Sequence, residues 1–267
     1  MDDFVSSVLN AELGKTHLFS VGQAGFIVKS ASGQLLGIDL YLSDCVERLE
    51  GHVGFKRLLP RLFDPADMEF DVLIATHAHW DHFDVDAMPI LLSGKKTRLL
   101  AAGDCKSLVE QLELDVGCIR CIKPGDSMQC GDFFIHFIRC DHGEGAPEAV
   151  GAIIEVDGTR ICEVGDTCLH LDWKEDYLAT GPLDVLMAPI NGAYGNMSEA
   201  DCARLSAVLA PRLIIPCHYG MFASHGGNPG VFLEEMKKSA PGRKYLLMAQ
   251  GERLELVSPE FFRRETT

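Results

Sequence analysis

Short apolar runs bounded by turn residues recur along the whole chain, and such runs are typical of buried or half-buried β-strands. We predict strands over residues 17–30, 35–42, 72–75, 97–102, 119–122, 133–139, 150–156, 159–164, 184–188, 213–216 and 245–249. Turn residues such as Pro124-Gly125-Asp126 and Asp157-Gly158 separate them. Strands therefore form the framework of the predicted fold.

Helices are predicted where apolar positions recur at helical spacing or where a capping sequence comes first. The predicted ranges are 2–12, 86–92, 104–114, 198–209 and 228–238. Asp104 is expected to cap the third helix, and Ser198 with Asp201 to open the fourth as a capping box. Pro229 suits the first turn of the fifth helix, because its missing N–H is not needed there.

Along the chain, a set of predicted strands with a helix occurs twice. This order suits two sheets packed face to face with helices outside, so we predict an α/β fold, a four-layer αββα sandwich. No linker composition divides the chain, and residues 1–267 are predicted to form one domain. Residues 45–70 lack clear periodicity; they are either a segment that covers a substrate site or a solvated connector.

Composition narrows the environment and the partners of the protein. The chain has 267 residues, 47% of them hydrophobic, and no apolar run long enough for a membrane span. Its acidic start lacks the layout of a signal peptide, and its ten cysteines fit a reducing compartment, so we predict a cytoplasmic protein. The formal net charge of −15 disfavours nucleic acid as the main partner. A small anionic substrate held by a few basic groups remains compatible with it.

The densest group of chemically active residues is His77-Ala78-His79-Trp80-Asp81-His82, which directly follows the predicted strand 72–75. Three imidazoles and a carboxylate at a strand end serve no purpose in a core or on a solvated face. They suit Zn, Mn or Fe. His77 and His79, two apart in extended chain, can point to one cation, and Asp81 and His82 can reach a second one past the bend.

Further donors follow other predicted strands, where open sites in layered α/β folds are usually built. His142 follows strand 133–139, Asp166 follows strand 159–164, and His218 follows strand 213–216. Asp39, at the end of strand 35–42, is expected to orient a histidine by accepting its second ring proton, or to be an ordinary turn residue.

This order of donors resembles the metallo-β-lactamase superfamily over nearly the whole chain. The resemblance implies that His77, His79 and His142 hold one divalent cation, that Asp81, His82 and His218 hold another, and that Asp166 bridges them. Among the branches, the chain looks most like the L-ascorbate-6-phosphate lactonases, in residues 70–84, 123–126, 165–167 and 231–238. That branch implies Mn as the metal and a homo-oligomer, although Ala78 departs from the acidic residue found there.

The resemblance implies a metal-dependent hydrolase that uses a metal-bound hydroxide on a small anionic substrate, such as a sugar-phosphate lactone. Asp81 would orient the nucleophile and pass a proton to the leaving group. Lys56, Arg57 and Arg61 would contact a phosphate, and Tyr194, Asn191 and His225 are further substrate-binding candidates. The alternatives are a phosphodiesterase or ribonuclease of the same superfamily and a non-catalytic metal-binding regulatory protein.

Overall fold

A computed structural model describes residues 3–94, 96–256 and 263–264 of the protein. The helices are α1 Asp3–Leu9, α2 Cys45–Glu50, α3 Met88–Leu91, α4 Lys106–Gln111, α5 Lys174–Tyr177, α6 Glu199–Leu209 and α7 Pro229–Ser239. The strands are β1 Thr16–Gly22, β2 Gly25–Lys29, β3 Leu35–Ile38, β4 Val72–Ala75, β5 Arg98–Ala102, β6 Ile119–Ile122, β7 Ser127–Cys130, β8 Phe133–Arg139, β9 Val150–Val156, β10 Thr159–Glu163, β11 Val185–Pro189, β12 Leu213–Cys217, β13 Arg253–Leu256 and β14 Arg263–Arg264.

The strands form two sheets. One has eight strands in the order β14-β13-β1-β2-β3-β4-β5-β6, and the other has six in the order β12-β11-β10-β9-β8-β7. Strands β3 to β6 run parallel, as do β10 to β12, so each sheet gathers several carboxyl ends at one edge. These edges supply most of the site described below.

The main hydrophobic core lies between the sheets and joins side chains such as Ile27 and Ile74 of the first to Ile154 and Val185 of the second. A second cluster packs α6 and α7 on the outer face of the second sheet, through residues such as Leu205 and Phe232. The predicted fold class, a layered α/β sandwich, is confirmed. Within the described ranges, no helix combines the length and the hydropathy needed to cross a bilayer.

Local signals explain the two long helices. The Ser198 hydroxyl accepts from the Asp201 N–H while the Asp201 carboxylate accepts from the Ser198 N–H, which is the predicted capping box of α6. The Asn228 side chain accepts from two N–H groups at the start of α7, and Pro229 occupies its first position, as predicted.

Several sequence predictions were wrong in detail. The stretch 17–30 is a hairpin of β1 and β2, because Gln23 adopts the left-handed region at φ 56° and turns the chain. Residues 245–249 form no strand: Tyr245 makes an isolated bridge with Ile214 of β12, and the Leu246 N–H donates to the Ile214 carbonyl at 2.9 Å. The last long strand is instead β13, paired with β1. Strand β7 was missed because two of its four positions, Ser127 and Gln129, are exposed and polar.

Two further predictions need correction. Residues 45–70 are not irregular throughout, since α2 opens the segment. Asp104 does not cap the helix predicted after it, because a short 3₁₀ turn over Gly103–Cys105 comes first and α4 begins only at Lys106. The N-cap residue of α4 is Cys105, whose side chain makes no capping hydrogen bond.

Candidate metal centre

The metal centre is assembled where strands of both sheets end. Residues 77–82 follow β4, His142 follows β8, Asp166 follows β10 and His218 follows β12. Directly after β4 the chain bends, because the N–H groups of His82 and Phe83 both donate to the His79 carbonyl, at 2.9 and 2.7 Å. All seven predicted donors are brought together at this edge.

The first group of donors consists of three ring nitrogens. His79 Nδ1 lies 3.0 Å from His77 Nε2 and 3.1 Å from His142 Nε2. His77 is fully buried, and its other nitrogen, Nδ1, lies 3.1 Å from the Thr76 hydroxyl. The Thr76 contact thereby fixes the ring so that Nε2 faces the other two histidines.

The second group combines one carboxylate with two imidazoles. His218 Nε2 lies 3.2 Å from His82 Nε2 and 3.4 Å from Asp81 Oδ2. Asp166 lies between the two groups, with its Oδ2 at 2.9 Å from His218 Nε2, 3.5 Å from His82 Nε2 and 3.8 Å from His142 Nε2. One carboxylate thus reaches both sets of donors.

These separations fit divalent cations. Ligand atoms about 2.0–2.2 Å from one ion lie about 3–3.5 Å apart, depending on the coordination geometry. The distances given above, from 3.0 to 3.4 Å within the two groups, lie in this range, and ring nitrogens that face each other this closely need either a proton or a cation between them. Imidazole nitrogens and carboxylate oxygens suit Zn, Mn and Fe alike.

The charges at the centre are prepared for cation binding. Burial opposes ionisation of Asp81 and Asp166, but neighbouring His82 and His218 hold the pKa of both carboxyl groups well below the usual range. Burial lowers the pKa of His218, but Asp166 and Asp81 outweigh it and raise this pKa to about 9. The ionised carboxylates are ready as ligands, and an entering cation displaces protons from the histidines.

Asp39 fixes the orientation of one ligand ring. Its carboxylate accepts from the Thr76 N–H at 2.8 Å, the Thr76 hydroxyl at 2.6 Å and His82 Nδ1 at 2.7 Å. The bond to Nδ1 leaves Nε2 of His82 facing His218, where a cation can take the place of its proton. The structure therefore confirms that Asp39 orients a histidine.

Two amide side chains support the centre, and of these Gln23 was missed by the sequence analysis. Gln23 Nε2 donates to Asp81 Oδ2 at 2.8 Å and to His225 Nδ1 at 2.8 Å, and it lies 3.1 Å from His218 Nε2. Asn196 Nδ2 donates to Asp166 Oδ2 at 2.8 Å. Neither stands in a recognisable motif, since Gln23 occupies a hairpin turn and Asn196 a loop.

A cavity of about 420 Å³ opens over these donors. Its remaining lining consists mainly of apolar and aromatic side chains: Val46, Glu50, Phe55, Ala78, Trp80, Gly145, Tyr194 and His225. No lysine or arginine is among these described lining residues. The segment 45–70 thus contributes one wall, while its role as a substrate cover stays a prediction.

The predicted substrate residues divide into two pairs. Tyr194 and His225 line the cavity, whereas Arg57 and Asn191 do not. Asn191 instead accepts a hydrogen bond from Asn196, at 3.1 Å. The Arg57 guanidinium donates to the carbonyls of Ser43, Leu59 and Pro60 and lies 4.5 Å from the Tyr41 ring centroid.

The other predicted phosphate contacts are also engaged elsewhere. Lys56 pairs with Glu47, and Arg61 lies 3.2 Å from Asp44. Together with Arg57 they line a separate surface cavity. This placement does not support a phosphate contact by these three residues at the metal centre.

His225 sits in an aromatic setting beside the metal centre. Its ring stacks on His218, with 4.8 Å between the centroids, and meets the edges of Phe55 and Phe222. Burial lowers the pKa of His225 to about 4, so the ring is neutral near pH 7. Because Nδ1 accepts from Gln23, the single ring proton is on Nε2.

Comparison with known proteins identifies the family. A model of the β-lactamase superfamily domain matches residues 18–218. The UPF0173 metal-dependent hydrolase of Thermococcus kodakarensis is 30% identical over 200 residues, which cover 72% of this chain and 84% of that relative. The chain belongs to the metallo-β-lactamase superfamily, among its UPF0173 metal-dependent hydrolases. Membership of this family makes metal-dependent hydrolysis its general chemistry.

Solved structures of the superfamily share the fold. Igni18, a metallo hydrolase of the archaeon Ignicoccus hospitalis, matches 92% of this chain and 100% of its own with a TM-score of 0.69 and 20% identity. An isothiocyanate hydrolase from Delia radicum gut bacteria matches 89% of this chain and 97% of its own with a TM-score of 0.65 and 20% identity. At this identity the likeness concerns the architecture alone.

Proposed function

We propose that the protein hydrolyses a small substrate at a centre of two divalent cations, one held by His77, His79 and His142 and the other by Asp81, His82 and His218, with Asp166 between them. The observation that carries the proposal is the convergence of these donors at the floor of one cavity. Cations held by these residues would supply a water of lowered pKa and would polarise an electrophilic carbon or phosphorus. Zn and Mn are the leading candidates, and Fe fits the same donors.

The lining of the cavity indicates the substrate class. Phe55, Trp80 and Tyr194 offer apolar and aromatic contacts, and Glu50 adds negative charge rather than positive charge. A substrate with an uncharged apolar part suits this wall better than one with a phosphate group, which would rely on the cations alone. We therefore favour small neutral electrophiles, such as lactones, esters or isothiocyanates, over the sugar-phosphate lactone expected from the sequence.

The chain's own residues then have distinct tasks. Asp81 is ionised and reaches the cavity, and we assign to its carboxylate the acceptance of a proton from the attacking water and the transfer of that proton to the leaving group. His225 carries its proton on Nε2, from which it donates to a substrate oxygen or nitrogen. The Gln23 amide donates to both Asp81 and His225 and so fixes the position of one relative to the other.

The alternatives have less support. Activity as a phosphodiesterase or ribonuclease conflicts with the net charge of −15 and with the absence of lysine and arginine from the described cavity lining. A non-catalytic metal-binding role does not explain why a cavity opens directly over the donors. L-ascorbate-6-phosphate lactonase activity stays a prediction of the sequence resemblance.

The test compares hydrolysis of a neutral aryl lactone, an aryl isothiocyanate, bis(p-nitrophenyl) phosphate and L-ascorbate-6-phosphate by Zn- and Mn-loaded protein. We expect kcat/KM for at least one neutral substrate to exceed that for both phosphorylated ones by about tenfold or more, which corresponds to about 1.4 kcal/mol of differential binding. The Asp81→Asn variant should lower kcat by about 10²–10⁴-fold, because the carboxylate that relays the proton from water to the leaving group is lost.

Each part of the proposal has its own contradicting result. A phosphorylated substrate turned over faster than both neutral ones would refute the substrate class but leave the hydrolase. Unchanged kcat in Asp81→Asn would refute the assignment of Asp81. No turnover of any probe by protein with two bound equivalents of metal would favour the binding role.

A further inference from the structure

A second group of metal-ligating side chains lies next to the metal centre but outside it. Asp141 follows β8, and Cys168 and His170 lie in the segment after β10. His170 Nε2 is 2.7 Å from Asp141 Oδ2 and 3.3 Å from Cys168 Sγ, and Cys168 Sγ is 3.3 Å from Asp141 Oδ2. A sulfur, a nitrogen and an oxygen thus form a compact triangle of donor atoms.

The geometry of this triangle differs from that of a nucleophile with its base. In a Cys–His–Asp relay, the cysteine contacts one ring nitrogen and the carboxylate orients the ring through the other nitrogen. Here both Cys168 and Asp141 contact the same nitrogen, Nε2 of His170. Three donors that converge on one point instead of forming a chain are typical of ligands around an ion.

The orientation of the His170 ring is fixed by neighbouring side chains, as is common for histidines that bind metals. Its Nε2 donates to the Asp141 carboxylate at 2.7 Å, and its second nitrogen, Nδ1, faces the Asp172 carboxylate at 3.6 Å, so Nδ1 can carry the ring proton once a cation replaces the proton on Nε2. The ring stacks on Trp173 with 3.9 Å between the centroids and 6° between the planes. Arg139 covers the same indole at 4.5 Å, so the imidazole plane is fixed.

The loops that carry the three donors are tied together by the backbone. The Cys168 N–H donates to the Asp141 carbonyl at 3.0 Å, and the Asp141 N–H donates to the Thr167 hydroxyl at 3.0 Å. The side chains of Asp141 and His170 are 42% and 26% exposed, so an ion and a water molecule can enter from solvent.

We propose that Asp141, Cys168 and His170 form a separate mononuclear site for a Zn²⁺-type cation, with solvent as the fourth ligand. Thiolate, imidazole and carboxylate together match the donors that zinc takes in tetrahedral sites with an open position. The site braces the loop of His142 against the loop of Asp166, because each loop carries one of its ligands or more. It rests on different side chains from the two-cation centre and does not depend on the function proposed above.

Cobalt provides a direct test, because Co²⁺ replaces zinc and a thiolate ligand gives an intense charge-transfer absorption in the near ultraviolet. The seven donors of the main centre contain no sulfur, so cobalt bound to them does not produce this band. Full-length protein is stripped with a chelator, titrated with Co²⁺, and measured by absorption and by metal analysis. We expect the thiolate band in the parent, and in Cys168→Ser the loss of the band together with one equivalent of cobalt.

The controls separate this site from other thiols and from misfolding. Cys121→Ser removes an exposed cysteine elsewhere on the surface and should keep the band. His170→Ala, checked for native circular dichroism, should weaken cobalt binding at the proposed site while the d–d bands of the main centre persist. Absence of the thiolate band in the parent at saturating Co²⁺, or its persistence in Cys168→Ser, would overturn the proposal.

Discussion

At the scale of single residues, the centre depends on backbone conformations that side chains other than glycine rarely adopt. Gln23, Asp39 and His218 have φ values of 56°, 48° and 60°. Each such residue costs on the order of 1 kcal/mol or more, and such strain persists where the surroundings hold it in place. All three side chains are buried in the hydrogen-bond network of the centre, which is what holds them.

Gln23 offers a test of this positioning network. The Gln23→Met variant keeps similar volume but removes the donor that holds Asp81 and His225. We expect kcat to fall about 10–100-fold, as for other partners of metal ligands, with a smaller change in KM. Metal content and kinetics measured together check this, with Gln129→Met on β7 as the exposed control. Unchanged kcat would show that Gln23 only fills space.

A second residue-scale prediction concerns Glu163, which is fully buried in β10. Burial, and after it the charge of Asp39, raise the pKa of this carboxyl well above its usual range. The folded protein therefore keeps a proton that the unfolded chain releases above its ordinary pKa near 4.5. The contribution of Glu163 to stability consequently falls as the pH rises from that value toward the folded pKa.

Replacement by glutamine removes this pH dependence. We expect the unfolding free energy of Glu163→Gln, relative to the parent, to rise with pH above about 4.5 by up to ~1.4 kcal/mol per pH unit. Chemical denaturation of metal-free protein at several pH values measures this difference in unfolding free energy. Glu155→Gln, on β9 beside Arg160, is the matched control. The same slope in both variants would refute the role of Glu163.

The sequence revealed donors more readily than the residues that support them. His77, His79, Asp81 and His82 could be predicted because metal-binding residue types crowd a strand end. Gln23 could not, because an amide becomes informative only when the fold brings distant partners to it. The prediction for Arg57 was wrong for the opposite reason. Its charge indicated a contact with a substrate anion, whereas the folded chain surrounds its guanidinium with backbone carbonyls.

At the scale of elements, periodicity predicted the buried strands well. Strands β4, β9 and β12 are almost wholly buried, and their continuous apolar runs are the signal expected of such strands. The wrong strand predictions concern segments in which burial and strand pairing do not coincide. Residues 245–249 pack Leu247 and Met248 against the protein without joining a ladder, and β7 joins a ladder although two of its four side chains are exposed.

The hairpin of β1 and β2 shows why boundaries were harder. Its turn contains Gln23 and Ala24, and neither residue is a usual signal for a turn. The required left-handed conformation at Gln23 is supported from outside the hairpin, since the Gln23 carbonyl accepts from the His218 N–H at 2.8 Å. A tertiary contact thus fixes a local turn, which no local pattern could indicate.

At the scale of the whole molecule, the donors belong to both sheets. His77, His79, Asp81 and His82 follow a strand of the first sheet, whereas His142, Asp166 and His218 follow strands of the second. Each proposed cation therefore takes ligands from both. Cations bound in this way stabilise the packing of the sheets as well as the loops.

Removal of the metal should accordingly lower global stability. A ligand at 100 times its Kd stabilises a folded protein by about 2.7 kcal/mol, so chelation should lower Tm by several degrees and added Zn or Mn should restore it. Calorimetry with and without metal measures the change. The Asp166→Ala variant should show a much smaller difference, and an equal difference in both proteins would contradict the bridging position of Asp166.

The division of the donors between two sheets also bears on how the chain reaches its final form. A nascent chain that has formed only the β3–β4 region carries four donors but cannot close either cation site. Closure waits until β8, β10 and β12 have paired and their sheet has docked. We therefore expect capture of the proposed cations to be a late event in folding, which requires that the two sheets have docked.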